Sequence, residues 1–141
     1  MFEIDIDTQG LRATDELISR LRDFGPALGE VGAYLEGKNK LRFAKQVDPS
    51  GNPWAPLKDS TIADKTRRGA PLEILIDRAI LVSSFFFEVS ADEVRLKTNE
   101  DYLKWLQDGT RNMEARPVLG FEPGDSDAIS RIFRRHISGQ L

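Results

Sequence analysis

The sequence predicts one α+β domain over residues 1–141, with an antiparallel sheet packed against a long N-terminal helix and a C-terminal helix. Apolar and polar residues alternate near 2–7 and 85–98, which is typical of half-buried strands. Elsewhere, apolar residues recur at helical spacing. With 141 residues, 40% hydrophobic and 30% charged, the chain has the size and composition of a single soluble domain.

The N-terminal third predicts a strand followed by two helices. Phe2, Ile4 and Ile6 alternate with acidic residues, so we expect a strand there. Thr14 is a suitable N-cap for the first helix. Gly25-Pro26 interrupts it and begins a second helix, which runs to about Val47.

Three glycines lie within this second helix, at positions 29, 32 and 37. Each lowers helix propensity by roughly 1 kcal/mol relative to alanine. They indicate either a close approach of another backbone or a flexible helix.

The segment from 59 to 98 predicts a short helix and a hairpin. Asp59 or Ser60 is the expected cap of the helix, and Gly69 is its expected end. Residues 70–84 are apolar but fit either a helix or an extended chain. A hairpin follows, with a turn near Ala91-Asp92 and with these apolar positions: Phe85, Phe87, Val89, Val94 and Leu96.

The C-terminal part predicts two helices around an extended segment. Asn99 is the expected cap of the first helix and Gly109 its end. Residues 116–121 are expected to add an extended segment to the sheet. Asp125 or Ser126 is the expected cap of the last helix, which presents Ile129, Ile132, Phe133 and Ile137 at helical spacing.

No motif in the chain indicates catalysis. There is no cysteine and no phosphate-binding loop, and the only histidine, His136, is expected to be a surface residue. Asp5 and Asp7 should point to solvent from the first strand rather than bind a metal. We therefore expect no enzymatic activity, no metal and no cofactor. No run approaches the roughly 20 apolar residues of a membrane span, so we expect no membrane contact.

Charge is unevenly distributed along the chain. Residues 1–36 carry eight acidic and three basic side chains, a net charge of −5, and residues 37–68 carry eight basic and three acidic, a net charge of +5. Either this basic segment is an ordinary polar helix face, or copies of the chain pair head to tail. An alternative function is a small non-catalytic nucleic-acid-binding factor that uses the basic 38–68 region. Its candidate patch is Lys38, Arg42, Lys45, Arg67 and Arg68.

The loop "DPSGNPWAPL", residues 48–57, places a tryptophan among residues that prevent regular structure. Pro49 and Gly51 suit a tight turn. Pro53 and Pro56 restrict the chain on both sides of Trp54 and so fix the direction of its ring. Two interpretations stay open: Trp54 fills the core of its own domain, or it anchors a neighbouring subunit.

Several segments follow one another over roughly residues 30–138: the loop pattern D-x-x-G-x-x-W-x-P-L, the hairpin, a short helix ending in glycine, "ARPVLGF" and a terminal helix. Together they resemble the virion morphogenesis proteins of Mu-like tailed phages. The loop pattern is matched by Asp48, Gly51, Trp54, Pro56 and Leu57, and the later part by Gly109, Ala115, Arg116, Pro117 and Gly120.

The resemblance implies a structural protein of the virion, a tail completion or neck component that joins head to tail as a ring, expected to be hexameric. Its implied partners are other copies of itself, the head connector and tail tube proteins, with DNA at most passing through the ring. It would be assembled in the host cytoplasm. Within this pattern we expect Arg116 to be a fixed ion-pair partner and Pro117 to keep an edge segment out of a sheet ladder.

Overall fold

The computed structural model describes the backbone of residues 8–141 and the side chains from residue 12 onward. The predicted strand at residues 2–7, with Asp5 and Asp7, lies outside the described residues. Residues 8–141 form, in chain order, α1 (Thr8–Arg22), α2 (Gly25–Lys45), α3 (Asp59–Arg68), α4 (Ile80–Ser83), β1 (Phe86–Val89), β2 (Val94–Lys97), α5 (Leu103–Asp108) and α6 (Asp125–Ile137).

Helices and one antiparallel pair of strands confirm the predicted α+β class. Phe86 lies opposite Lys97, and Val89 lies opposite Val94. The turn between the strands is closed by the Ser90 amide, which donates to the Glu93 carbonyl over 2.9 Å. The hairpin packs against α2, as the sequence predicts.

The prediction that residues 116–121 add a third segment to the sheet is wrong. Among residues 8–141 the sheet has two strands, and 116–121 is not one of them. A strand needs a run of backbone bonds to a neighbour, whereas here the Arg116 amide donates to the Leu106 carbonyl over 2.7 Å and residues 118–120 bond to side chains. Arg42 donates to the carbonyl of Val118, and the side chain of Gln107 accepts from the Val118 amide. These bonds satisfy the backbone groups that a ladder would otherwise use.

Helix α2 separates two clusters of buried apolar side chains. The larger cluster contains Phe43, Trp54, Leu81, Phe85, Leu106 and Val118. The smaller one contains Ala27, Val31 and Ile132 and joins α2 to α6. Because α2 supplies residues to both clusters, it is the central element of the described fold.

Helix ends agree with the sequence better than helix starts. Gly69 and Gly109 end α3 and α5 with φ angles of 68° and 73°, in the left-handed region that glycine adopts readily. The expected caps are wrong: Thr14 lies inside α1, and α5 begins at Leu103, after Asn99. The residues that flank α3 and α6 on the N-terminal side are Lys58 and Gly124, and neither makes a side-chain capping bond.

One of the three α2 glycines marks a close contact. A Cβ added to Gly32 would lie 2.3 Å from a ring carbon of Phe87, whereas Gly29 and Gly37 have nothing within 4 Å. The close approach is therefore made by an aromatic side chain of the hairpin and not by another backbone.

This difference predicts opposite outcomes for two identical changes in one helix. Gly32→Ala should destabilise the protein by about 1–3 kcal/mol, because the Phe87 ring must move. Gly29→Ala should stabilise it by up to about 1 kcal/mol through helix propensity alone. Urea unfolding of both variants measures the two free energies. A Gly32→Ala variant as stable as Gly29→Ala would contradict the packing of the hairpin on α2.

Candidate functional site

The loop at 48–57, here called the Trp54 loop, folds through its own backbone and one aspartate. The Gly51 amide donates to the Asp48 carbonyl over 3.0 Å, and the Asn52 amide donates to Asp48 Oδ1 over 2.9 Å. Gly51 has a φ of 86°, which glycine adopts without strain. The predicted turn around Pro49 is therefore present.

Trp54 is a core residue of this chain. Its side chain is only 4% exposed, and its ring meets Phe43 edge-on with 5.4 Å between the ring centres. The indole Nε1 donates to the Pro117 carbonyl over 2.8 Å. Of the two open interpretations, the structure supports the one in which Trp54 fills its own core.

Arg116 and Pro117 hold the other side of the Trp54 loop. Arg116 donates through Nε to the Ala55 carbonyl and through Nη2 to the Pro56 carbonyl, both over 2.9 Å. The prediction that Arg116 forms an ion pair is therefore wrong, since it has no acidic partner among residues 8–141. Arg116 donates to carbonyl oxygens instead, because no neighbouring strand supplies N–H donors to the carbonyls of the proline-rich loop.

Arg42 is the most connected side chain of this region, and it is buried, at 3% exposure. Its guanidinium donates to the carbonyls of Val118 (2.7 Å) and Gly120 (2.8 Å) and to Glu122 Oε1 (2.8 Å). The prediction that Arg42 belongs to an exposed basic face is wrong. Residues 118–122 cross α2 at this point, and their carbonyls need donors that a planar guanidinium supplies in a fixed geometry.

Glu122 completes this cluster. Its second carboxylate oxygen pairs with Lys38, so it accepts from two cations. Burial of Glu122 opposes ionisation, but the hydrogen bonds from Lys38 and Arg42 outweigh it and lower the pKa of Glu122. Two members of the predicted basic patch are thereby engaged within the domain, with one carboxylate between them.

Of the other members of the patch, Arg67 and Arg68 lie on α3, and Lys45 lies at the end of α2, on the concave surface that Lys38, Arg42 and Glu122 also line. Arg67 and Arg68 both pair with Asp64, and Arg68 also pairs with Asp77. Lys45 is exposed and has no acidic partner among the described residues. The structure therefore does not unite the five predicted cations into one free cationic surface.

Sequence reasoning missed two glutamines whose side chains form the backbone hydrogen bonds that a neighbouring strand would otherwise form. Gln107 Oε1 accepts from the amides of Val118 and Leu119, and its Nε2 donates to the Leu119 carbonyl. Gln46 brackets Ile74 in the same way, accepting from its amide and donating to its carbonyl. The spacing of apolar residues does not reveal this role of the two glutamines, because the segments to which they bond are irregular.

Lys65 has a similar role on α3. Its side chain is buried, and its Nζ donates to the carbonyls of Glu73 (3.0 Å) and Ile76 (2.7 Å). It thus fixes the segment between α3 and α4. An exposed position would have been the ordinary expectation for a lysine.

Two further buried polar contacts join α6 to the N-terminal helices. His136 is 5% exposed and its Nε2 lies 2.8 Å from the Arg20 carbonyl, so the expected surface position of His136 is wrong. Tyr34 donates to Asp125 Oδ1 over 2.6 Å. Burial, together with the bond to this carboxylate, raises the pKa of Tyr34 to about 12.

The described part of the chain offers no group of three or more histidine and acidic side chains placed to hold a metal ion. Within residues 8–141, no helix is both long and apolar enough to cross a membrane. That the protein has no enzymatic activity and no cofactor stays a prediction.

Comparison with known proteins identifies the family. A family model described as the phage virion morphogenesis family matches residues 6–138. The chain belongs to this family. No curated protein and no solved structure matches it. Membership in the phage virion morphogenesis family confirms the resemblance seen in the sequence and supports a structural or assembly role in a virion; a closer relation to Mu-like phages stays a prediction.

Within this family member, the Trp54 loop and residues 115–122 form one internally bonded unit. Trp54, Arg116 and Arg42 each form a hydrogen bond to a residue that is 60 or more positions away in the chain. The hydrogen-bonded residues of this unit therefore keep the fold together, and the exposed apolar side chains are the candidates for assembly contacts.

Arg42 provides the most direct test of this unit. Arg42→Gln should lower the free energy of unfolding by about 3 kcal/mol or more, because it leaves the carbonyls of Val118 and Gly120 and one oxygen of Glu122 without their donor. The free energy of unfolding of Arg42→Lys should lie between those of the unchanged protein and Arg42→Gln, since lysine keeps the charge but lacks the planar guanidinium. Urea or thermal unfolding measures these changes.

Lys40→Gln is the matched control on the same helix. Lys40 makes an exposed pair with Glu36 over 2.8 Å, so its loss should change the free energy of unfolding by no more than about 0.5 kcal/mol. Equal effects at positions 40 and 42 would show that the buried cluster does not hold residues 118–122.

Proposed function

We propose that this chain is a tail completion or neck protein that joins phage heads to tails as a ring of identical copies. Membership in the phage virion morphogenesis family carries the proposal. The proposed partners are further copies of the chain, the head connector and tail tube proteins, and assembly would occur in the host cytoplasm. DNA would at most pass through the ring.

The surface supports an assembly role because large apolar side chains stand exposed on rigid segments. Phe121 is 75% exposed, yet Arg42 bonds to the residues on both of its sides, Gly120 and Glu122. A side chain presented on a fixed backbone loses little entropy on docking. Phe121, and not Trp54, is therefore the proposed anchor for a neighbouring subunit.

A second exposed apolar region lies around the segment between α3 and α4. Leu57, Ile80 and Tyr102 line a groove of about 290 Å³ there, and Ile80 is 51% exposed. Leu75 and Ala79, next to this groove, have φ angles of 62° and 58°. Such conformations cost about 1–3 kcal/mol each and persist where the surrounding structure imposes them. Because most of the residues that line this groove are apolar, we propose that it receives an apolar side chain of a partner protein.

The nucleic-acid-binding alternative has less support. Its candidate residues Lys38 and Arg42 are engaged with Glu122, and Arg42 is buried. Phosphate binding needs cations that are free to replace counterions. Absence of a salt-dependent gel shift of duplex DNA by the purified protein is the expected result.

The joining role predicts a specific defect. A phage in which this coding sequence is inactivated should produce DNA-filled heads and full-length tails that remain separate, because the ring between them is missing. Electron microscopy of lysates, with and without a plasmid copy of the gene, measures the fraction of joined particles. Normally joined particles, or a failure to build heads at all, would contradict the proposed role.

A further inference from the structure

Helix α1 is attached to the rest of the described chain at one end. Every residue from Arg12 to Ser19 is exposed. The attachment lies in the last turn, where Arg20 Nε donates to the Ile137 carbonyl over 2.9 Å and the Arg20 carbonyl meets His136 Nε2 over 2.8 Å. The first turns of α1 thus form an arm held at its C-terminal end.

One side of this arm is apolar and uncovered. Successive helical residues are rotated by about 100°, which places Leu17, Ile18 and Leu21 on one side and Ser19 on the other. The three apolar side chains are 38%, 40% and 46% exposed. A helix of about 15 residues is marginal in water without packing of an apolar face. This side therefore needs a partner surface.

A groove of suitable chemistry lies between α2 and α6. Its volume is about 600 Å³, and Ala33, Tyr34, Ala128 and Ile132 contribute to its lining. Its other lining residues are Glu30, Arg131, Arg134 and Arg135. An apolar groove with a charged rim is the usual receptor for an amphipathic helix.

The cations of this rim are less engaged than those of residues 37–68. Arg131 and Arg134 have no ion-pair partner among residues 8–141, and Arg135 reaches Glu30 only at 3.7 Å. Residues 8–19, the first turns of α1, carry Asp15, Glu16 and Arg12, a net charge of −1. The rim carries three arginines and Glu30, a net charge of +2, so the arm and the rim are opposite in charge.

We infer that the α1 arm of one copy docks into the groove between α2 and α6 of a second copy. The arm of the same copy leaves this groove open, because its last turn is fixed to the C-terminal end of α6. A contact between two different surfaces repeats from copy to copy and can close into a ring. The inference rests on the proposed ring function and identifies the contact between its subunits.

The inference also revises the expected charge pairing between copies. The sequence suggested that the acidic N-terminal region pairs with the basic segment 37–68. Most cations of that segment bond within their own domain, as Lys38, Lys40 and Arg68 do. The basic partner of the arm is instead the arginine rim of α6.

Disulfide trapping tests this contact directly, because the chain has no cysteine of its own. Two full-length variants with different tags, Ile18→Cys and Ala33→Cys, are mixed and oxidised mildly. A covalent species that carries both tags should form. Ser19→Cys replaces Ile18→Cys in the matched control, and it should form little of this species because residue 19 lies on the opposite side of α1.

A charge placed on the apolar side gives a second readout. Leu17→Asp should weaken self-association about tenfold or more, because it removes a buried leucine from the contact. Ser19→Asp adds the same charge on the opposite side and should leave association nearly unchanged. Light scattering behind size exclusion, over a range of protein concentrations, measures both.

The outcomes separate this contact from the proposed function. Assembly that is equally strong in both aspartate variants, without the mixed disulfide, would overturn the arm contact and leave head–tail joining standing. A disulfide within one chain of the Ile18→Cys/Ala33→Cys double variant, and none between chains, would also overturn it. A wild-type protein that stays monomeric at all concentrations would overturn both the arm contact and self-assembly into a ring, whereas the phage defect tests joining independently.

Discussion

The arrangement of the domain depends on the hydrogen bonds of the buried Arg42 guanidinium. A buried charge must be paired and fully hydrogen-bonded, so the chain has to bring acceptors to it. It does so with Glu122 and with the carbonyls of Val118 and Gly120. The position of this segment then places the Pro117 carbonyl where the Trp54 indole can donate to it, and the loop and segment become one unit.

A more general constraint explains why residues 8–141 are held together with so little sheet. Buried amides and carbonyls require partners, and in irregular segments strands cannot supply them. Here Gln46, Gln107 and Lys65 provide the bonds that neighbouring strands would give. A side chain fixes only one or two residues of backbone, so the segments stay irregular and can present single apolar residues, such as Phe121, to a partner.

Elements with a clear periodicity could be predicted from the sequence, and so could the helix ends at Gly69 and Gly109. Strand β2 and helix α6 follow from local alternation and spacing, because apolar residues on one face of each are buried or half-buried. The environments of Arg42 and His136 could not be predicted. Spacing shows which face of a helix a residue occupies, but not which distant carbonyl lacks a donor, and Arg42 and Val118 are 76 residues apart. The expected strand at 116–121 failed for the same reason.

Native-state amide hydrogen exchange tests most directly whether side chains hold the irregular segments as firmly as helices are held. The account predicts that the amides of Val118 and Leu119, which donate to Gln107 Oε1, are protected nearly as well as those in the middle of α2. Gln107→Ala should then remove protection at these two amides before it affects α2. Exchange at Val118 and Leu119 as fast as in the exposed hairpin turn at 91–92 of the unchanged protein would contradict the account.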